Sequence, residues 1–328
     1  MNKLKKKYYR IIESVAKKII RFKDNSKNEN FKTAIRSAIY YTSMATNKLI
    51  FSTINGINYV LFASDWIPKK LFIDGEFNDK ILFKATKILK IKKSKCTLIN
   101  IGAHIGSTCI PAVKKKYFKK LIAFEPAKKN FRLLMANIFL NNIEDISNLY
   151  NLALSNKKNH LRIKQYTHTG DYRVVSQKNK NSEIVKCDIL DNYTGGLNKK
   201  NSLIFMDAQG HEPNIFLGSK KTIRKKIPIV VEFDPFLLNK NWKKGFSLLF
   251  KNYKFFYNLH EPLKKKKFTQ KEIIYLFNNL KSKKEKYTDL LIIWSISIVQ
   301  IYESFLSSIK KKYFVTYWKR YSNVNRNF

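Results

Sequence analysis

The chain has 328 residues, 44% of them hydrophobic, which is enough for one large α/β domain with extensions or for two small domains. It carries 65 Lys and Arg residues against 23 Asp and Glu residues, and the resulting net charge of +42 is far from the balance of an ordinary cytosolic enzyme. Such a charge favours polyanionic partners, although an AT-biased genome also enriches Lys together with Asn, Ile, Tyr and Phe.

The apolar segments and the cysteines indicate the compartment. The longest apolar candidate, residues 290–299, is too short to span a bilayer. Lys17 and Lys18 interrupt the first apolar stripe and no small-residue cleavage site follows it, so we expect no signal peptide. The three cysteines lack a C-x-x-C spacing, which predicts small core residues in a reducing compartment and neither a disulfide framework nor a zinc site. We therefore expect a cytoplasmic protein.

The first 55 residues are predicted to form a basic helical extension. Apolar residues recur at helical spacing over residues 8–22 with Lys and Arg between them, which predicts a basic amphipathic helix. A polar linker over 24–30 and a second helix over 31–48 follow. Beyond the extension, the pattern predicts short strands at 58–63 and 71–73 and a helix at 77–91.

Strands and helices then alternate along the chain. The predicted strands are 97–101, 120–124, 148–153, 184–187, 202–206 and 229–233, the helices are 107–116, 129–140 and 213–224, and a hairpin joins 161–166 to 173–175. This alternation predicts an α/β fold with a doubly wound, mostly parallel Rossmann-like sheet in a domain at 56–294. Residues 295–328 are predicted to be a basic amphipathic helix and tail.

A glycine loop follows the first strand of this domain. Gly102 and Gly106 lack a Cβ, so the loop can turn sharply and approach a ligand, and the next helix directs its free N–H groups towards that ligand. Glu125 lies 125 − 106 = 19 residues after Gly106, close to the spacing at which an acidic residue accepts hydrogen bonds from ribose hydroxyls. The G-x-x-x-G pattern favours S-adenosyl-L-methionine over a dinucleotide, and the alternative is a glycine turn in an ordinary βαβ unit.

Polar residues end the third and fourth strands, where an open parallel sheet binds its ligands. The backbone from Asn151 through Ala153 is placed to pack on an adenine edge. Methyl transfer to a hydroxyl needs alignment of the reactants and a base, and we expect Asp207 or His211 to be that base. Glu212 either contacts the substrate or stabilises the N-terminus of its own helix. No ligand-spacing signature supports a metal site among these residues.

A second polar cluster, residues 168–173, lies in the predicted hairpin. Its Arg173 can grip a carboxylate or a phosphate of a substrate with two hydrogen bonds. A solvated hairpin turn is the alternative interpretation.

The order of these motifs resembles the FkbM family of S-adenosylmethionine-dependent methyltransferases. The resemblance covers roughly residues 58–294 and rests on the segments 72–77, 100–106, 123–126, 137–142, 151–155, 188–191, 206–212 and 230–233. It implies a sheet of the class I methyltransferase type, with helical N- and C-terminal extensions here, and O-methylation of a hydroxyl on a sugar or natural product. Asn100 stands where the family usually has Asp, and His104 stands where it usually has Asn, so the resemblance places both beside the cofactor.

Two other functions remain open at this level. A nucleic-acid methyltransferase fits the net charge, but base methylation commonly relies on a Pro-Pro-aromatic loop, and residues 207–212 hold none. The basic ends could instead bind an anionic membrane surface or an assembly, with or without catalysis and with a degenerate cofactor site. Packing of both ends on the core explains the same pattern.

Overall fold

The computed structural model describes most of the chain. It covers residues 29–46, 48–63, 65–91, 95–176, 182–238, 242–283 and 287–294, together with Ser14. Apart from Ser14, the helix predicted over 8–22 lies outside these residues, as does the helix and tail predicted over 295–328.

The first described elements form a small layer of helices and a hairpin. They are α1 (Glu29–Thr46), β1 (Leu49–Ile54), β2 (Ile57–Phe62), α2 (Trp66–Asp74) and α3 (Asp79–Ile88). The antiparallel strands β1 and β2 meet at Asn55 and Gly56, which both have positive φ, as a tight hairpin turn requires. The domain boundary expected at residue 55 falls in this turn, so the structure joins the two sides of that boundary in one hairpin.

The strand predicted at 71–73 is wrong, because these residues lie in α2. The Asp65 carboxylate accepts a hydrogen bond from the backbone N–H of Ile67 at the start of that helix. Gly75, with φ of 81°, ends the helix by donating its N–H to the carbonyl of Leu71. Three apolar residues fit a strand or a buried helix equally well, and these two caps decide for the helix.

The central sheet has eight strands in the described part of the chain. They are β3 (Cys96–Ile101), β4 (Phe118–Phe124), β5 (Ser147–Tyr150), β10 (Ser202–Met206), β11 (Ile229–Phe233), β12 (Phe255–Asn258), β13 (Lys265–Lys267) and β14 (Thr288–Ile293). Their spatial order is β13-β12-β14-β11-β10-β3-β4-β5, with parallel pairing from β11 to β5 and antiparallel pairing from β13 to β11. The mostly parallel, doubly wound α/β sheet is therefore confirmed.

Helices cover both faces of this sheet. They are α4 (Cys109–Lys114), α5 (Lys128–Leu140), α6 (Glu212–Leu217), α7 (Lys220–Arg224), α8 (Trp242–Phe250) and α9 (Gln270–Ser282). A hydrophobic core lies on each face of the sheet. Leu98 of β3 packs in one core and its neighbour Ile99 packs in the other, because successive side chains of a strand point to opposite faces. On one of these faces the side chain of Asn137 joins α5 to the first hairpin and to the glycine loop, since its Oδ1 accepts from the N–H of Val60 (2.6 Å) and its Nδ2 donates to the carbonyl of Ile105 (2.8 Å).

Two predicted elements are split. The helix predicted at 213–224 is α6 followed by α7, and the break lies at Gly218, where a Cβ would stand 2.0 Å from the carbonyl oxygen of Ser155. The strand predicted at 148–153 is β5 followed by β6 (Ala153–Leu154), which belongs to a second sheet.

This second sheet contains the predicted hairpin. Its members are β6, β7 (Asn159–Gln165), β8 (Tyr172–Val175) and β9 (Glu183–Asp188), in the order β6-β9-β7-β8. β7 and β8 pair antiparallel, with Gln165 opposite Tyr172, so residues 168–171 of the polar cluster lie in their connecting turn and Arg173 lies in β8. No helix within the described ranges is long and apolar enough to cross a membrane.

Candidate active site

A cavity opens at the carboxyl ends of β3, β4 and β10. Because the chain runs outward from β3 to β4 on one side and returns to β10 on the other, this is the position at which the strand order reverses. The cavity has about 870 Å³ of empty space, counting its open mouth, and strands β6 to β8 with the start of α2 form its far wall. Of the predicted site residues, it is lined by Gly102, His104, Glu125, Ala153, Asp207 and His211.

The glycine loop interlocks with the turn after β10. Gly102 has φ of +77°, and a Cβ there would stand 1.8 Å from the carbonyl oxygen of Asp207. The N–H of Asp207 donates in turn to the carbonyl of Ile101 (3.0 Å). Gly106 has φ of +90°, and a Cβ there would stand 2.4 Å from Cδ1 of Ile110. Gly106 therefore allows the loop to pack closely on Ile110, and it is not among the described residues that line the cavity.

Glu125 is a buried carboxylate held by backbone amides. Its Oε2 accepts from the N–H of His104 (2.8 Å), and its Oε1 accepts from the N–H of Ala127 (2.9 Å). Burial raises the pKa of Glu125 to about 7 despite these bonds. Glu125 thus directly follows the second parallel strand, β4, as its spacing predicted. Its carboxylate fixes the glycine loop against the start of α5.

Two cavity-lining side chains carry polar atoms without a hydrogen-bond partner among the described residues. The ring of His104 bonds through Nε2 to Oγ1 of Thr169 (2.7 Å), while its Nδ1 has no partner. Asn130 donates from Nδ2 to the carbonyl of Thr169 (2.7 Å), while its Oδ1 has no partner. Burial lowers the pKa of His104 to about 4, so the ring is neutral. Buried polar atoms left open in a cavity wall indicate a polar ligand.

Two residues expected at the cofactor do not line the cavity. Asn100 lies within the sheet, where its Nδ2 is 3.5 Å from the carbonyl oxygen of Phe205 on β10. Asn151 donates from Nδ2 to the carbonyls of Glu125 (2.9 Å) and Pro126 (3.0 Å). Asn151 therefore supports the backbone that carries Glu125, and its neighbours Leu152 and Ala153 face the cavity.

The turn after β10 gathers three carboxylates. Ligand atoms of Asp207, Glu212 and Glu232 lie within 4.8 Å of one another, and Nε2 of Gln209 donates to Asp207 (2.7 Å) and to Glu232 (3.2 Å). Burial raises the pKa of Asp207 to about 6 and that of Glu212 to about 7. Burial and the charge of Asp207 raise the pKa of Glu232 well above its ordinary value. Near neutral pH the group consequently holds protons and carries less than its full charge.

Both ring nitrogens of His211 are engaged. Its Nε2 lies 2.9 Å from Oγ of Ser155, and its Nδ1 lies 3.2 Å from Nδ2 of Asn214. Burial lowers its pKa to about 4. A neutral imidazole with two occupied nitrogens is poorly placed to take a proton from a substrate, which leaves Asp207 as the better of the two expected bases.

The two residues expected to bind substrate are occupied elsewhere. Arg173 donates to both carboxylate oxygens of Asp171, from Nε (2.6 Å) and from the second guanidinium nitrogen (3.1 Å). Glu212 accepts from the N–H groups of Ala208 (2.7 Å) and Gly210 (3.3 Å). Neither side chain is among the described residues that line the cavity. In this structure Arg173 holds the hairpin turn, and Glu212 holds the turn that precedes its own helix. A substrate contact of either residue stays a prediction.

Several lining residues had no signal in the sequence. Asn130 lies inside an apolar helix, and Ile67 and Phe77 come from elements before the glycine loop. Thr169 belonged to a recognised polar cluster, but nothing in its spacing placed it beside His104. Such residues meet only because the second sheet folds over the first.

One family model and several solved structures are similar to this chain. A family model described as the methyltransferase FkbM domain matches residues 100–278. Among solved structures, the chain is similar to TYW2 of P. horikoshii, at 15% identity over 81% of this chain and 85% of that one, with a TM-score of 0.37.

It is also similar to the methyltransferase FkbM of Methylobacillus flagellatus KT, at 11% identity over 79% of this chain and 59% of that one, with a TM-score of 0.35. The tRNA methyltransferase TrmK of B. subtilis matches at 11% identity over 67% of each chain, also with a TM-score of 0.35. No curated protein sequence matches the chain significantly.

Gly102→Ala should destabilise the folded protein by about 3 kcal/mol, because the added Cβ would collide with the carbonyl of Asp207 in a left-handed backbone conformation. Urea unfolding measures the loss. The matched control is Gly195→Ala, since a Cβ at Gly195 meets nothing within 4 Å. Equal stability of the two variants would contradict the interlocking of the loop and the turn.

Glu212→Gln should stabilise the protein at high pH. The carboxyl of Glu212 has its pKa raised by burial from 4.5 to about 7, so wild-type stability falls as the pH rises through that window. The amide keeps an acceptor for the turn and cannot ionise, so the variant should be more stable by on the order of 1–3 kcal/mol at about pH 8 and nearly equal at about pH 5. Urea unfolding at both pH values is the measurement, with the exposed Glu144→Gln as control. A gain that is the same at both pH values would show that Glu212 does not titrate in this window.

Proposed function

The chain belongs to the methyltransferase FkbM domain family, and we propose that it methylates a hydroxyl group of a sugar or of a natural-product-like small molecule. As a member of this family it is an S-adenosylmethionine-dependent methyltransferase. The observation that carries the proposal is that one cavity holds a carboxylate fixed by the glycine loop, Glu125, and a second carboxylate after β10, Asp207.

The cavity wall fits the cofactor. Gly102 lines the cavity with backbone alone, and His104 and Asn130, which also line it, each carry a buried polar atom without a hydrogen-bond partner among the described residues. Glu125 would hold the ribose hydroxyls, and the backbone at Leu152 and Ala153 would border the adenine. When bound, S-adenosylmethionine supplies a sulfonium methyl group that is open to in-line attack by an oxygen nucleophile.

Asp207 is the proposed base. It lines the cavity, its carboxylate is oriented by the amide of Gln209, and its raised pKa of about 6 leaves it ionised at neutral pH yet more basic than an exposed aspartate. With the cofactor bound, Asp207 would accept the proton of the acceptor hydroxyl and so make its oxygen the nucleophile. The neighbouring acids Glu212 and Glu232 have raised pKa values and hold protons themselves, so the three carboxyl groups can share a change in charge at Asp207.

The far wall supports a small organic acceptor. Apolar side chains from α2, from the segment that precedes α3 and from the second sheet dominate it: Ile67, Phe77, Ile163 and Val174. A largely apolar cleft with a few fixed polar groups is typical of small-molecule sites. The resemblance to the FkbM family supports a sugar or natural-product hydroxyl in particular.

Glu125→Ala should weaken S-adenosylmethionine binding by about tenfold to a hundredfold, because it removes a buried charged acceptor from the donor side of the cavity. Isothermal titration calorimetry measures the affinity. Glu125→Gln, which keeps the volume of the side chain, separates loss of the charge from loss of packing, and the exposed Glu144→Ala is the control. Unchanged affinity in both Glu125 variants would remove Glu125 from the cofactor site.

Asp207→Asn should leave donor affinity within about twofold and lower transfer by about a hundredfold or more, because the amide cannot accept the hydroxyl proton. Transfer is measured with methyl-labelled donor and a panel of monosaccharides, oligosaccharides and phenols, and with total RNA in a separate reaction. A wild-type rate in the variant would rule out Asp207 as the base. Labelling of RNA but of no panel member would contradict a hydroxyl of a small molecule as the acceptor.

A further inference from the structure

The turn that joins β7 to β8 contacts the donor side of the cavity through one residue, Thr169. Its side chain and backbone are 2% exposed, although it lies at the tip of a hairpin. Each polar group of Thr169 has a partner in a different element: its hydroxyl in the glycine loop, its carbonyl in α5 and its N–H before α2. Hairpin tips are ordinarily solvated, so this burial indicates a specific role.

The hydroxyl branch of these contacts leads to the glycine loop. Oγ1 of Thr169 lies 2.7 Å from Nε2 of His104, and the backbone N–H of the same histidine donates to Oε2 of Glu125 (2.8 Å). His104 has φ of 52°, an uncommon conformation for a residue with a side chain. The bond to Thr169 therefore orients the ring of His104, and the backbone N–H of this residue holds the carboxylate of Glu125.

The carbonyl branch reaches the same carboxylate from the other side. Nδ2 of Asn130 donates to the carbonyl of Thr169 (2.7 Å) and lies 3.4 Å from Oε1 of Glu125. Both branches thus end on Glu125, one at each carboxylate oxygen. His104 and Asn130 also line the cavity, and each has a buried polar atom without a partner among the described residues.

The third branch ties the turn to the far wall. The N–H of Thr169 donates to Oδ2 of Asp65 (2.6 Å), the residue that also begins α2. The next residue, Gly170, packs so closely on α2 that a Cβ would stand 2.1 Å from Cδ1 of Ile67. On its outer side the turn is held by Asp171, which accepts hydrogen bonds from Thr167 and Arg173. The turn therefore reaches the donor site as a rigid unit.

We propose that Thr169 is a positioning residue that couples the turn of the second sheet to the donor site, acting on Glu125 through His104 and Asn130. The inference rests on the proposed function, because it concerns binding of S-adenosylmethionine at Glu125. Donor binding stabilises the turn, and the turn lines the side of the cavity assigned to the acceptor. By linkage, the same contacts raise acceptor affinity when the donor is bound.

Thr169→Val tests the hydroxyl branch with little change in shape. Both side chains are β-branched, and the backbone bonds to Asn130 and Asp65 are retained. The variant leaves Nε2 of His104 buried without a partner, so S-adenosylmethionine affinity should fall about tenfold in calorimetry. Thr169→Ser restores the hydroxyl and should bind within about threefold of wild type. The control is Thr53→Val, whose hydroxyl bonds to Asn58 on the exposed hairpin far from the loop in sequence.

A double-mutant cycle with Glu125→Gln separates positioning from general destabilisation. If Thr169 acts through Glu125, adding Thr169→Val to Glu125→Gln should weaken donor binding by less than about twofold. Hydrogen exchange gives a second readout: S-adenosylhomocysteine should slow exchange of the amides at 167–171 in wild type and do so less in Thr169→Val.

Four outcomes overturn the proposal in distinguishable ways. Wild-type affinity in Thr169→Val, or the same loss of affinity in both backgrounds of the cycle, contradicts the role of Thr169 and leaves the proposed function intact. Failure of the Ser variant to restore affinity also contradicts it. Absence of donor binding in the wild-type protein contradicts the proposed function itself, and this inference with it.

Discussion

The site depends on one buried carboxylate, that of Glu125. An ionised group in an apolar interior is costly unless hydrogen bonds compensate, and here the backbone N–H groups of His104 and Ala127 provide them. Those two amides belong to the glycine loop and to the start of α5, so the same bonds that stabilise the charge also fix the loop against the helix. Asn151 adds support by holding the backbone carbonyl of Glu125. The donor side of the cavity is therefore preorganised by the chain itself.

The acidic end of the cavity contrasts with the charge of the whole chain. The sequence has 65 basic residues and only 23 acidic ones, yet three carboxylates meet at the turn after β10. Burial raises their pKa values, and shared hydrogen bonds through Gln209 hold two of them together. A carboxylate among partly protonated neighbours is a stronger base than an exposed one, which suits proton removal from a weakly acidic hydroxyl.

The sequence predicted the parts of the fold that carry strong local signals. Strands 202–206 and 229–233 match β10 and β11, because continuous β-branched and apolar runs bounded by turns are typical of a parallel sheet. The predicted strand at 71–73 was wrong because three apolar residues are too few to show a helical or a strand periodicity. The predicted strand at 148–153 was too long because the chain leaves the central sheet near Asn151 and enters the second sheet. The segment from α8 to β14 carried no recognised motif, and its strands extend the sheet at the antiparallel edge.

The spacing of Gly102, Gly106 and Glu125 was sufficient to predict that the glycine loop and Glu125 meet, because a strand, a glycine loop and a second strand are joined by local chain geometry. The tertiary structure decided which polar residues face the cavity. It engaged both nitrogens of His211, turned Arg173 towards Asp171, and placed Asn130 between Glu125 and Thr169. The bonds of His211 to Ser155 and of Asn130 to Thr169 join residues from different elements. No local pattern encodes these two bonds, since they form only when the elements pack together.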